Sequence, residues 1–319
     1  MRAGPPVALV AMLFTMAVWG FSPVFIHSLS VGLGPADALV IRYAISATFF
    51  VLAMVLWLPP QIARQDWPRL ALICLAMFGY NLGSVYGFER IGAGVGGLII
   101  GTQPLLIVLL AAGLGLERIT NSILIGLTLA LIGTVALFWS DFQGEIGSGV
   151  SKLGVLFVFL AGVSWAIYTV AVRPLVGRYG AFQISALSIV GASVPMVALA
   201  SPRTIDVALA MTTRQWLEML FMIVMGTLVS AATWNFAAVR MPPAVADIFL
   251  YLIPVIAVAA GAAMLGEEVN AQILVGGTLI LSGVAVAQYG NRWRRGREWG
   301  VEAGGRQRQQ AAGSREERS

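Results

Sequence analysis

Sliding the chain by about 150 residues lays its second half on its first. Arg90, Val95, Pro104, Val108, Ala112, Glu117, Ile123, Leu124, Gly126, Thr128, Leu129, Leu131 and Gly133 then fall on Arg240, Val245, Pro254, Val258, Ala262, Glu267, Ile273, Leu274, Gly276, Thr278, Leu279, Leu281 and Gly283. About thirteen identities in a window of roughly forty-four, with the proline and the acid in register, indicate one ancestral unit used twice. Each copy holds five long apolar stretches. An odd number of membrane crossings would turn the second copy upside down relative to the first, and inverted repeats of this kind place a binding site at mid-depth between the halves.

The apolar stretches dominate the composition. The 319 residues are 58% hydrophobic and 11% charged, with a mean hydropathy of +0.85, against about 25% charged residues in ordinary soluble domains. An all-α integral membrane protein is expected, with spans near 7–27, 36–58, 68–88, 93–115, 121–139, 152–172, 182–201, 215–239, 244–265 and 272–290. The two five-helix repeats would then occupy 7–139 and 152–290 around a central cavity. From 291 to 319 the chain is rich in Arg, Gln, Gly and Glu and too polar to bury a core, so it reads as a disordered basic tail. Its Arg292, Arg294, Arg295 and Arg297 weight one side of the membrane and predict that both termini are cytoplasmic. The first stretch carries no cleavage pattern and is expected to stay as a mature helix. The single cysteine, Cys74, excludes an intrachain disulfide.

Small residues and prolines mark how the helices pack. Gly79, Gly83 and Gly87 recur every four residues and strip one helix face to backbone, which predicts close approach of a neighbour and a seam along which helices can slide. Gly92, Gly94, Gly96 and Gly97 lack the preceding strand and following acid of a dinucleotide fingerprint. Pro104 and Pro254 occupy equivalent places, each removing a backbone donor; a plain kink and a cavity-lining role are both open.

Polar and aromatic side chains at membrane depth are the candidate site. Trp19 with Ser22, Tyr80 with Ser84 beside Asn81, Gln103 next to Pro104, Trp165 with Tyr168, and Tyr251 before Pro254 each share or adjoin a helix face. Such groups face a bundle interior or a wet cavity. For Asn81 and Gln103 an interhelical hydrogen bond stands equally with a substrate contact. Asp247 is a candidate coupling residue, against the plainer reading of an acid in a helix's first turn. Arg42 is expected to snorkel to the outer interface, and His27 to lie there. Glu117 and Glu267 read as corner residues, followed by Thr120 and Asn270 as helix caps. One histidine excludes a paired-histidine zinc motif, and no nucleophile elbow occurs, so neither catalysis, a metal nor a cofactor is expected.

Taken together, Trp19-Gly20, Arg42-Tyr43, Pro104 followed by Gly115-Leu116-Glu117-Arg118, and the second-copy set Trp165-Ala166, Pro254 and Gly266-Glu267-Glu268 resemble the drug/metabolite transporter superfamily, specifically its EamA family. The resemblance covers residues 8 to 290 and implies ten helices in two inverted repeats in a bacterial inner membrane, often exporting amino acids or related metabolites. The expected partners are a small molecule and the lipid bilayer, with no nucleic acid. The expected cargo is a small neutral or zwitterionic metabolite. Efflux of amphipathic or cationic drugs is the alternative within transport, and a membrane-embedded enzyme or a scaffold the alternative outside it.

Overall fold

Apolar stretches of this length satisfy their backbone away from water as helices, in which each N–H bonds four residues back within the same segment. The computed structural model describes residues 5–57, 61–115, 121–137, 151–230, 233–234, 237, 249–250, 252–283 and 285–286, and among these the chain is helical without strands. In the first copy α1 is Pro5–Leu33, α2 Pro35–Trp57, α3 Trp67–Phe88, α4 Ala93–Ile100, α5 Gln103–Gly113 and α6 Asn121–Leu137. In the second, α7 is Lys152–Tyr179, α8 Ala181–Val197, α9 Pro202–Ala210, α10 Thr213–Ile223, α11 Leu252–Leu265 and α12 Ala271–Gly283. Among the described residues five helical stretches are long and apolar enough to cross a membrane, and a sixth if the bent pair α8 and α9 counts as one.

The two copies turn at the same corners. Gly34 (φ 91°) links α1 to α2 and Gly180 (φ 86°) links α7 to α8; Gly115 (φ 71°) follows α5 and Gly266 (φ 69°) follows α11. These four glycines are the positive-φ residues among those described, and each sits where a side chain would strain the backbone. The copies also meet reciprocally. A Cβ on Gly133 would lie 2.7 Å from the Gly276 carbonyl oxygen, and one on Gly283 would lie 2.5 Å from that of Gly126. Gly126 and Gly133 correspond to Gly276 and Gly283, so α6 and α12 present the same backbone surface to each other, as at a two-fold contact.

Burial follows the polarity of a membrane solvent. Val10, Val55, Leu75 and Leu209 point outward, more than 60% exposed, while Thr15, Ser46, Asn81, Gln103, Ser188 and Glu218 are buried. An apolar exterior on this extent of surface suits lipid and would aggregate in water.

Three features differ from the sequence expectation. Pro104 and Pro254 do not kink continuous helices: α4 ends at Ile100, a turn intervenes, and Pro104 is the second residue of α5, while Pro254 is the third of α11. Proline's missing donor costs nothing in a first helical turn, so a break before it is the cheaper solution. The seventh apolar stretch ends early, at Val197, and the chain bends by 109° into the short helix α9. In the eighth, α10 runs on into a π-helical turn at Val224–Val229.

Candidate functional site

An aromatic cluster joins the two copies. Trp19 on α1 meets Trp165 on α7 edge to face, with ring centres 6.3 Å apart. Trp165 in turn lies 5.0 Å from Tyr80 on α3 and stacks on Tyr168 at 5.4 Å. Trp234 joins the cluster, 5.2 Å from Trp19. Trp19, Tyr80, Trp165 and Trp234 are only partly buried. Indole and phenol rings fixed against one another this way make a rigid apolar wall whose rings have few rotamers left to lose when a ligand stacks on them. Trp234, five residues from the end of the span expected at 215–239, is not singled out by a mid-span criterion, and packing against Trp19 is what brings it to the cluster.

The α3–α7 interface positions Tyr80 against Trp165, and the glycine stripe is the reason the helices come so close. A Cβ on Gly79 would meet Ser164 Oγ at 2.8 Å; on Gly83, the Phe157 carbonyl at 2.7 Å; on Gly87, a Val158 methyl at 2.5 Å. The expected neighbour of the stripe is therefore the first helix of the other copy. The two proline segments also touch, Gly101 before α5 lying against Pro254 of α11.

The polar members divide. Asn81 is committed to the protein: its Oδ1 accepts from the Tyr43 hydroxyl at 2.5 Å and its Nδ2 donates to the Met77 carbonyl at 2.8 Å. Tyr168 is within 3.3 Å of Ser188 Oγ, tying α7 to α8. Gln103 keeps one donor unpaired. Its side chain and that of Ser84 flank the Tyr80 hydroxyl, yet Gln103 Nε2 is buried without a hydrogen-bond partner among the described residues. Tyr251 and Asp247 lie outside the described residues, as does the side chain of Pro104.

Arg42 departs from expectation. It does not reach for the interface; its Nη2 donates to Thr227 Oγ1 in the π-helical turn at 2.9 Å, and its guanidinium lies 5.1 Å from the centre of the Tyr43 ring. His27 Nδ1 bonds to the carbonyl of Phe88, the last residue of α3. The glycine-rich start of α4 does hold an anion, one from the chain itself. Glu267 accepts from Ala93 N at 2.5 Å and Gly94 N at 2.8 Å, and Gly92, Gly94 and Gly261 leave the room its carboxylate fills. From the corner that follows Gly266 it caps a helix of the opposite copy. Asn270 behaves as expected, accepting from Ile273 N at 2.8 Å.

Two acid-centred contacts join the copies beyond this cluster. Asp66, before α3, takes the Tyr179 hydroxyl at 2.6 Å and pairs with Arg178, both at the end of α7. Glu218, buried on α10, accepts from Ser28 near the end of α1 at 2.7 Å and from Arg214 at 2.9 Å. The 22 residues of α3 span about 33 Å. His27, one residue before Ser28, touches its Phe88 end, whereas Asp66 adjoins its start. The two contacts therefore lie at opposite ends of the bundle. Both escaped the sequence reading because the partners are more than a hundred residues apart.

Comparison with known proteins agrees with this architecture. A solved crystal structure superposes with a TM-score of 0.59 over 91% of this chain and 99% of that one at 20% identity, a likeness of fold. An "Uncharacterized transporter" of Archaeoglobus fulgidus is 25% identical over 286 residues, covering 87% of this chain and 97% of the relative. A "Probable terminal-alkyne amino-acid exporter" of Streptantibioticus cattleyicolor is 24% identical, covering 87% of this chain and 92% of the relative. A "Probable amino-acid metabolite efflux pump" of Escherichia coli is 24% identical over 64% of this chain and 70% of the relative. Residues 6–139 and 152–288 each match the EamA-like transporter family. With both halves of a multi-pass helical membrane protein matched in this way, the chain belongs to the EamA-like transporter family.

Proposed function

We propose that the protein exports a small zwitterionic or neutral metabolite, an amino acid or a close relative, by alternating access between two inverted five-helix repeats. The observation that carries this reading is the meeting of Trp19 and Trp165, one from the first helix of each copy, beside Tyr80. A transporter binds at such an interface between its halves because rocking one half against the other then exposes the site to either side without rebuilding it. The contacts at Asp66 and Glu218 suit the two doors: each bridges the copies at one end, and each consists of side-chain bonds that a tilt of one helix would release. The glycine stripe between α3 and α7 supports the same motion, since smooth faces slide where interdigitated ones lock.

Ten spans, both termini in the cytoplasm and residence in a bacterial inner membrane complete the proposal. In it the solute is moved unchanged, which sets it apart from a membrane enzyme. The relatives named for amino-acid export support the cargo class.

Flux tests it. In proteoliposomes loaded with an unlabelled amino acid, the protein should accumulate the labelled form by exchange, and Trp165→Ala should raise half-saturation about fivefold or more, since a desolvated aromatic contact is worth on the order of 1 kcal/mol. Trp216→Ala, remote from the aromatic cluster, should leave it unchanged. Equal affinity in the Trp165 and Trp216 variants would remove the aromatic wall from the binding site, and chemical conversion of the solute would end the transport reading.

A further inference from the structure

We propose that Arg42 holds a carboxylate of the transported solute, so that the cargo bears an acid group at the end that enters beside α2. The inference rests on the transport reading above and narrows it.

Arg42 lies seven residues into α2, about 10 Å along the helix. A guanidinium remains charged at any accessible pH and carries five donors in a flat fork. Among the described residues one donor is used, to Thr227 Oγ1, whose own hydrogen is directed to the Met222 carbonyl at 3.0 Å. That hydroxyl offers a lone pair and no charge. The acid–base pairs among the described residues are Arg90 with Glu89, Arg178 with Asp66 and Arg214 with Glu218; Arg42 is in none of them. Its Nε is buried and has no partner among the described residues. Among the described residues this partly buried cation has no acid partner, and its orphaned Nε donor is costly to leave unpaired. A bound anion relieves both.

The neighbours indicate which anion. Tyr80 lies within electrostatic reach of Arg42 and within side-chain reach of Gln103. Gln103 Nε2 is the second unpartnered buried donor bordering that phenol. Two donor groups near one tyrosine suit a group with two acceptor oxygens on one carbon, since a carboxylate can take a guanidinium edge and an amide together. The rest of the solute would then extend toward Trp165 and Trp19, where rings cover an uncharged body. The π-helical turn contributes by setting Thr227 opposite Arg42; such turns often occur at functional positions. A strap between α2 and that turn would account for the Thr227 bond alone and leave both orphaned donors unexplained. A cationic drug would meet Arg42 as a like charge.

The test uses full-length protein in proteoliposomes with L-phenylalanine, L-leucine and L-threonine as labelled probes, and the amide of each as unlabelled competitor. In the wild type, acid should compete at least about tenfold better than amide, the value of one charge-assisted hydrogen bond. Arg42→Gln should bring that ratio close to one, and Arg42→Lys should restore part of it, since a point charge remains without the fork. Inorganic phosphate should compete in neither protein. A wild type that takes acid and amide equally, an Arg42→Gln variant that keeps the full preference, or competition by phosphate instead of carboxylate each overturns the assignment. If Arg42→Gln fails to elute as a folded species, the wild-type ratio and Thr227→Val, which should shift that ratio without removing charge, still decide it. Absence of flux for all three acids defeats the amino-acid reading itself, and is distinguishable from the preceding results because those require measurable transport.

Discussion

Glu267 carries more of the architecture than any other single side chain described. Its two oxygens each take one N–H of the first turn of α4, and no side chain of α4's own segment performs that task. The carboxylate also meets the positive end of the helix. Glu267→Ala should lower the stability of the detergent-solubilised protein by about 1 kcal/mol, the usual worth of an N-cap. Glu267→Gln keeps one acceptor but turns an amide toward the other N–H, and should fall between. Glu268→Ala, exposed next door, should not shift the thermal midpoint. An unaltered midpoint in Glu267→Ala would show that α4 finds its cap elsewhere.

Helices α3 and α7 meet through a stripe whose members are unequal. The Cβ of an alanine at position 79 would press on Ser164 Oγ, a side-chain atom that rotates away. At position 83 it would press on the Phe157 carbonyl and the Ala161 amide, which move only if the helix moves. Gly83→Ala should therefore cost about 1 to 3 kcal/mol, as overpacking does, while Gly79→Ala should cost much less. Thermal unfolding of the two variants gives the comparison, and equal losses would mean that the helices shift apart as rigid rods. If the seam slides during transport, Gly83→Ala should also reduce turnover more than affinity.

Inversion of the two copies makes opposite-side predictions for equivalent corners. Gln61, between α2 and α3, and Ser201, between α8 and α9, occupy the same junction in each copy and are both exposed. With Cys74 replaced by alanine, a cysteine at Ser201 or Ser148 should react with an impermeant maleimide on intact cells, and one at Gln61 or Gly313 should react only after permeabilisation. Labelling of positions 61 and 201 from one side would disprove inversion. Labelling of 313 in intact cells would reverse the orientation.

Much of the helical pattern was legible because it depends on local chemistry. Long apolar runs dictate helices wherever water is absent, and a repeat in register dictates that equivalent corners, such as Gly34 with Gly180 and Gly115 with Gly266, adopt like conformations. The glycine stripe and the central aromatics could likewise be singled out, since small residues and mid-membrane polar rings are unusual in any helix facing lipid. Partners could not. Whether Arg42 turns to lipid or to Thr227, whether Asn81 is spent on Tyr43 while Gln103 Nε2 stays unpaired, and whether Glu267 caps the helix of the other copy depend on which side chains arrive from other helices, from tens to more than a hundred residues away. A hydrogen bond forms only when donor and acceptor come within about 3 Å. Periodicity tells which face a residue occupies, whereas the packing of one copy on the other supplies the atom across from it.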